Sequence, residues 1–174
     1  AAILRERYGD FAHYNRRDPL EELLFILCSV QPQESNYRRT FAALRKAFPS
    51  FEALATGSKR EIARPLKQGG LSPTKSRRIK VICERIKTTF GKVTLAPLKR
   101  MSDGPCEAFL APQPGLGTKV ARCVMMYSLG RRVFPVDTHC WRVCRRLGLI
   151  RATRRNGECG TGDMHRLQAK SQRG

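Results

Sequence analysis

A lysine and an aspartate, Lys119 and Asp137, are the residues whose types and setting best suit covalent chemistry. A lysine can lose its proton and act as a nucleophile that forms a Schiff base, whereas arginine in proteins stays charged. Lys119 is the single lysine among ten basic residues between Glu107 and Glu158, and Asp137 is the single acid there. The stretch therefore combines a candidate nucleophile with an isolated carboxylate.

The expected electrostatics of the stretch favours this chemistry. Lys119 falls in the first turn of a predicted helix, where the helix dipole and nearby cations disfavour the charged ammonium. The same cations should keep Asp137 ionised by lowering its pKa. Two plainer interpretations stay open: Lys119 as a solvated surface lysine, and Asp137 as the N-cap of the helix that follows it.

A glycine-rich turn lies directly before Lys119. The segment Gly115-Leu116-Gly117-Thr118 can adopt unusual backbone dihedrals and bring N–H groups against a phosphate, with the following helix adding its field. A single Gly-x-Gly is a weak signal. The turn, the lysine and the carboxylate together predict chemistry on a nucleic-acid sugar.

Helices must position these residues. Residues 20–30 form an almost continuous apolar helix suited to the centre of a core, and four further stripes show helical spacing. We therefore predict an all-α fold. The stripes are Tyr37, Phe41, Leu44 and Phe48; Ile79, Ile82, Ile86 and Phe90; Val120, Val124 and Tyr127; and Val143, Leu147 and Ile150.

Capping residues and helix breakers predict where several helices begin and end. Ser58 can cap a short helix that Pro65 closes, and a long basic helix over about 73–90 should stop at Gly91. Ser102 can cap the helix over 103–111 that leads into the glycine-rich turn.

The composition points to a polyanionic partner. The 174 residues include 34 Lys and Arg against 14 Asp and Glu, a formal net charge of +20. A hydrophobic fraction of 41% is too high for a disordered basic tail. No apolar run is long enough to cross a bilayer and no signal peptide is recognisable, so we expect a cytoplasmic protein that is neither membrane-bound nor secreted.

The segment PGLGTKVA at 114–121 and the segment VDTH at 136–139 carry a family resemblance. Together they resemble the helix-hairpin-helix and Gly/Pro-rich-loop-Asp signature of the endonuclease III-like DNA glycosylases. The spacing from Lys119 to Asp137 matches that family, and the resemblance extends from about Pro19 to Ile150. It implies a helix-hairpin-helix DNA glycosylase fold of two helical lobes, with the C-terminal lobe incomplete.

The resemblance implies a base-excision-repair enzyme, a DNA glycosylase with AP lyase activity. Lys119 would attack C1′ of the deoxyribose and Asp137 would stabilise the oxocarbenium-like sugar; β-elimination from the resulting imine would nick the strand. The expected partner is double-stranded DNA with a damaged base, an oxidised pyrimidine, or an abasic site, wherever the genomic DNA lies. Another base specificity, such as an adenine mismatch, and a non-catalytic helix-hairpin-helix DNA-binding module are the alternatives.

The resemblance also implies DNA contacts at further positions. Gln31 would fill the gap left by the extruded nucleotide, and Leu71 would wedge into the opposite strand, returning part of the cost of flipping. Leu71 could instead anchor its loop to the core. The turn over 115–118 would hold the backbone, and the basic helix carrying Lys75 would track phosphates or form a solvated face.

Cysteine usage and one substitution depart from the family pattern. The seven cysteines lack any Cys-x-x-Cys pair, and Cys140 with Cys144 would make a poor metal site. Only Cys159 lies beyond Cys144, so the four-cysteine cluster motif is absent and we expect neither an iron–sulphur cluster nor another cofactor. Gln113 stands where the family has leucine before Pro-Gly.

The domain organisation follows from the resemblance and the composition. We expect a helical barrel-like domain over 18–130, which includes the helix-hairpin-helix unit at 101–130. Residues 1–17 with 131–150 would form a partial second lobe, and 151–174 a basic, disordered tail without Val, Ile or aromatic residues. We expect a monomer.

Overall fold

The computed structural model of the chain describes residues 2–9, 15–30 and 33–149. Within these ranges the regular structure is helical and contains no β-strand, which confirms the all-α prediction. Short 3₁₀ turns occur at 67–69 and 96–100. The α-helices in chain order are α1 (Ala2–Tyr8), α2 (Pro19–Ser29), α3 (Glu34–Ala47), α4 (Phe51–Thr56), α5 (Lys59–Leu66), α6 (Ser72–Phe90), α7 (Asp103–Leu110), α8 (Gly117–Leu129) and α9 (Thr138–Arg146).

Helix α2 lies at the centre of the core, as its apolar sequence predicts. Leu20, Leu23 and Leu24 are fully buried, and the helix packs against α3, α6 and α8. Pro19 occupies the first turn, where a missing N–H costs nothing, and Asp18 caps the helix by accepting from two backbone N–H groups. Pro19 and Asp18 therefore determine where α2 begins, whereas burial of its apolar side chains stabilises the rest of the helix.

Helix α6 is the second organising element. Its stripe of Ile79, Ile82 and Ile86 is fully buried, and the helix packs against α4 and α5 as well as α2. Helices α7 and α8 pack against each other as a helical hairpin, and α8 returns to α2. The hairpin and the start of α6 are thus held on the same central helix.

Most predicted helix ends are confirmed, with two corrections. Ser58 forms a complete capping box with Glu61, and Gly91 ends α6 in the left-handed conformation. The prediction that Pro65 closes α5 is wrong, because the helix continues through Pro65 to Leu66. Proline lacks a backbone N–H, so the helix loses one hydrogen bond in its last turn. Ser102 occupies the N-cap of α7 without making a side-chain bond.

The fourth apolar stripe does not face the core. Val143 is 53% exposed and Leu147 is 68% exposed, whereas Trp141 of the same helix is buried. Ile150 and the expected tail over 151–174 lie outside the described residues, so the proposed division into domains stays a prediction. Among the described helices, none combines the length and the apolar character needed to cross a membrane.

The cap of α2 yields a first prediction. Asp18 Oδ1 accepts from the N–H groups of Leu20 and Glu21, each at 2.9 Å. We expect Asp18→Ala to lower the free energy of unfolding by about 1 kcal/mol in urea titrations, because both groups lose a partner. Asp18→Asn keeps an acceptor and should lose much less; an equal loss in both variants would contradict the capping role.

Candidate active site

The turn between α7 and α8 has the backbone geometry that its glycines predict. Gly115 has φ of 82° and Gly117 has φ of 67°, values that favour glycine. The Gly117 N–H donates to the Ala111 carbonyl at 3.2 Å, and the Leu116 N–H donates to the Gln113 carbonyl at 3.1 Å. Leu116 is buried and anchors the turn, whereas Gly115 and Gly117 are exposed at its surface.

Lys119 lies where the sequence predicts it, in the first turn of α8, with an exposed side chain. No side chain caps the start of this helix. The N–H groups of a helix's first turn lack partners within the helix and carry partial positive charge. An exposed amine therefore stands beside backbone donors that suit an anion, next to the half-buried Thr118.

Asp137 is both a helix cap and an ionised carboxylate. Its Oδ1 accepts from the Cys140 N–H at 2.8 Å, so the capping interpretation is confirmed. Partial burial by itself would raise the pKa of Asp137, but the bonds to Cys140 and the positive charge of Lys119 outweigh it, and the pKa lies below its ordinary value. The predicted lowering is therefore confirmed, and capping accounts for much of it.

Lys119 lies near enough to Asp137 for its positive charge to act on the carboxylate. Cys123, one turn after Lys119 on the same face of α8, is close enough to feel both groups. Burial raises the pKa of this thiol, Lys119 opposes the rise, and the acids Glu22 and Asp137 add to it. These side chains therefore define one site between the starts of α2, α8 and α9.

Glu22 is a part of this site that the sequence analysis missed. It is 1% exposed, its Oε2 accepts from the Arg16 N–H at 2.7 Å, and burial raises its pKa against the opposing effect of Arg16. Acidic residues are common in the first turn of a helix, where they interact favourably with the helix dipole. The residue type of Glu22 therefore did not indicate a functional role. Its position on the most buried helix was the available clue.

Arg78 of α6 packs directly on the glycine-rich turn. A Cβ atom placed on Gly115 would lie 2.6 Å from Arg78 Nε, so any larger residue there would push the Arg78 side chain away from the turn. Arg77, Arg78, Val81, Pro114 and Gly115 line a cavity of about 340 Å³ beside the turn. Two guanidinium groups beside exposed backbone at a helix start form a surface suited to phosphate.

Leu71 is exposed and held in an unusual conformation. Its side chain is 46% exposed, and among the described residues it is the one non-glycine residue with positive φ, at 52°. A left-handed conformation costs a non-glycine residue roughly 1–2 kcal/mol. The alternative in which Leu71 anchors its loop to the core is therefore wrong, and an apolar side chain points outward between α5 and α6.

The structure corrects the role expected for Lys75. Its side chain is 2% exposed and its Nζ donates to two backbone carbonyls, so it cannot track phosphates. Lys80 is half-buried and bonds the Ala55 carbonyl at 2.6 Å. The outer cations of α6 are Arg77, Arg85 and Lys87, which are exposed.

Three further expectations concern single positions. Gln31 lies outside the described residues. Gln113 is 7% exposed: its Nε2 donates to the Phe109 carbonyl at 2.9 Å, while its buried Oε1 has no hydrogen-bond partner. No three His, Cys, Asp or Glu side chains of the described part converge as metal ligands. Since Cys159 lies outside that part, the absence of an iron–sulphur cluster stays a prediction.

Comparisons with known proteins agree with this geometry. Residues 26–159 match the family model of the HhH-GPD superfamily of base excision DNA repair proteins. A candidate DNA glycosylase of Arabidopsis thaliana is 34% identical over 134 residues, which are 77% of this chain and 46% of that protein. Endonuclease III of a Synechocystis species is 29% identical over 154 residues, 87% of this chain and 66% of that protein.

The fold agrees with solved structures as well. A trapped covalent intermediate of endonuclease III with DNA superposes with a TM-score of 0.71 at 22% identity, covering 86% of this chain and 67% of that one. At this identity the likeness concerns the fold. The chain spans between about half and two thirds of the length of the two curated relatives named above.

The pKa of Asp137 leads to a second prediction. Because its folded-state pKa lies below the ordinary value of 3.8, the carboxylate stabilises the fold above that pH and loses this contribution as the pH falls through the lowered value. Asp137→Asn keeps an acceptor for the Cys140 N–H but loses the charge. We expect urea titrations to show the wild type more stable at neutral pH, with the gap closing in acid below 3.8; a gap independent of pH would contradict this.

Proposed function

Because the chain belongs to the HhH-GPD superfamily of base excision DNA repair proteins, we propose that it is a DNA glycosylase with AP lyase activity. It cleaves the N-glycosidic bond of a damaged base in duplex DNA and then nicks the strand. The observation that carries the proposal is that the positive charge of Lys119, in the first turn of α8, acts on the carboxylate of Asp137. The phosphate-suited turn lies directly beside them.

Lys119 is the nucleophile of the proposed reaction. Its neutral amine attacks C1′ of the deoxyribose, and the base departs with the electron pair of the N-glycosidic bond and takes up a proton. Loss of the amine protons and opening of the sugar ring give an imine between Nζ and C1′. Removal of a proton from C2′ then expels the 3′ phosphate by β-elimination, which breaks the strand.

Asp137 stabilises the positive charge that develops on the sugar as the base departs. A carboxylate whose pKa is lowered stays ionised at neutral pH, so it is ready in the charged form that this role needs. Its bond to the Cys140 N–H fixes the carboxylate at the start of α9, so no reorientation is required when the charge appears.

The glycine-rich turn and Arg78 hold the DNA backbone near this pair. Gly115, Gly117 and Thr118 expose main chain at the start of α8, and Arg78 lies against Gly115. The exposed Leu71 enters the stack of the opposite strand, and Gln31 fills the space of the extruded nucleotide. Side chains inserted in this way return part of the unstacking cost of a few kcal/mol.

We propose a damaged base as the substrate, with an oxidised pyrimidine as the choice within this class. The protein acts as a monomer on the genomic DNA. A strongly basic chain with a net charge of +20 suits duplex DNA as the partner.

Borohydride trapping tests the nucleophile. We expect wild-type protein and abasic-site duplex to give a covalent adduct on reduction, visible as a shifted band on denaturing gels, because borohydride reduces the Lys119 imine to a stable amine. Lys119→Ala should give no adduct. Lys119→Arg keeps the positive charge but cannot form the imine, so it should also give none.

The control for trapping is binding to a duplex with a non-cleavable abasic analogue, measured by fluorescence anisotropy. Lys119→Arg should bind like the wild type. A folded wild type that binds this duplex but traps no substrate would contradict the lyase proposal and favour the alternative of a non-catalytic DNA-binding module.

Asp137→Asn tests the charge of the carboxylate separately from its cap. We expect single-turnover base excision to fall by about 100-fold or more, the usual cost of losing one preorganised electrostatic contact to a transition state. Duplex binding should change little because the cap remains. Equal losses of excision and binding would show that Asp137 acts only through folding.

A further inference from the structure

We propose that Lys75 is a positioning residue that ties the loop formed by Gly70 and Leu71 (the Leu71 loop) to the end of α2 and so holds the Leu71 side chain in place for insertion into DNA. The inference rests on the proposed function, because it concerns how the bases of the duplex are separated. It assigns a role to a lysine that the sequence analysis had placed on the phosphates.

The two carbonyls that accept from Lys75 belong to different parts of the molecule. Nζ donates to the Cys28 carbonyl on α2 at 3.0 Å and to the Gly69 carbonyl before the Leu71 loop at 2.8 Å. The backbone N–H of Lys75 donates to the Leu71 carbonyl at 2.9 Å. One residue therefore holds the loop at two points and joins it to the central helix.

The loop needs an external tie because its own conformation is strained. Gly70 and Leu71 follow each other with positive φ of 66° and 52°. Gly69 lies so close to α3 that a Cβ atom would stand 2.7 Å from Thr40 Oγ1. An exposed apolar side chain on such a loop gains little from the core, so the bonds from Lys75 supply the constraint.

The end of α2 needs a donor for a different reason. Cys28 lies in the last turn, where helix carbonyls lack partners within the helix and carry partial negative charge. The ammonium of Lys75 fits this place better than a neutral donor would.

A buried ammonium is costly, which argues that its two bonds have a use. Burial lowers the pKa of Lys75, whose side chain is 2% exposed. An apolar residue there would leave two buried carbonyls unpaired, whereas the lysine pairs both. A wedge that is held in place before binding loses less conformational entropy when it enters DNA.

The test compares Lys75→Met with Lys80→Met. Both variants keep an unbranched apolar chain on α6 and both remove an ammonium bonded to a carbonyl, but the Lys80 bond reaches the Ala55 carbonyl on α4 and not the Leu71 loop. Each protein is mixed with duplex that carries a non-cleavable abasic analogue and 2-aminopurine opposite it. The fluorescence of 2-aminopurine reports unstacking in the opposite strand and requires no bond cleavage.

We expect saturating Lys75→Met to give less than about half of the wild-type fluorescence increase, while Lys80→Met gives the full increase. In excision assays, Lys75→Met should lose about 10-fold more activity on a paired lesion than on the same lesion in a bulge, where unstacking is already complete. A lysine that served only stability would lower both activities alike.

Circular dichroism identifies a temperature at which each variant is folded, and the assays are run at that temperature. If Lys75→Met does not fold, Lys75→Gln is measured instead. Its amide is neutral and its nitrogen lies one bond nearer the backbone than Nζ, so the two bonds are weakened and the same direction of change is expected. Fluorescence equal to that of Lys80→Met would overturn the inference. Absence of trapping by the wild type would contradict the lyase activity and leave the fluorescence comparison intact.

Discussion

The burial of α2 is the constraint on which the rest of the molecule depends. Its eleven residues span about 16 Å at 1.5 Å per residue. The body of the helix is apolar, but polar groups at both of its ends make contacts. Glu22, in the first turn, reaches the neighbourhood of Cys123 and thereby the candidate active site. The Cys28 carbonyl, in the last turn, accepts from Lys75 and ties down the Leu71 loop. In the proposed function, α2 thus connects the site of Lys119 and Asp137 with the Leu71 loop.

Sequence reasoning succeeded where local chemistry decides the structure. Glycines at 115 and 117 predicted a turn with positive φ, and a lone acid before Thr138 predicted a capped helix with an ionised carboxylate. It failed where tertiary contacts decide. Nothing in the run of cations on α6 distinguished Lys75, which is buried, from Arg77, which is exposed. Leu147 likewise continued a helical stripe, but periodicity predicts a face without showing whether another element covers it.

Lys119 and Asp137 occupy unlike electrostatic positions. A carboxylate at the start of α9 is stabilised by the helix dipole, whereas an amine in the first turn of α8 stands at the unfavourable end of its own helix. A lysine in the first turn conflicts with the preference of helix N-termini for acidic residues. Such conflicts between sequence and local structure concentrate at functional sites. The nearby carboxylate compensates for it, so a single pair combines an exposed amine with a fixed negative charge.

The basic character of the chain divides into two physical roles. On α6, Lys75 and Lys80 direct their ammonium groups to backbone carbonyls and hold the fold together, while Arg77 and Arg78 line the cavity beside the glycine-rich turn. Only cations of the second kind can release counterions from DNA, so the number of phosphate contacts must be smaller than the charge of +20 suggests. In the proposed function, Lys75 contributes to DNA recognition indirectly, because it holds the loop that carries Leu71.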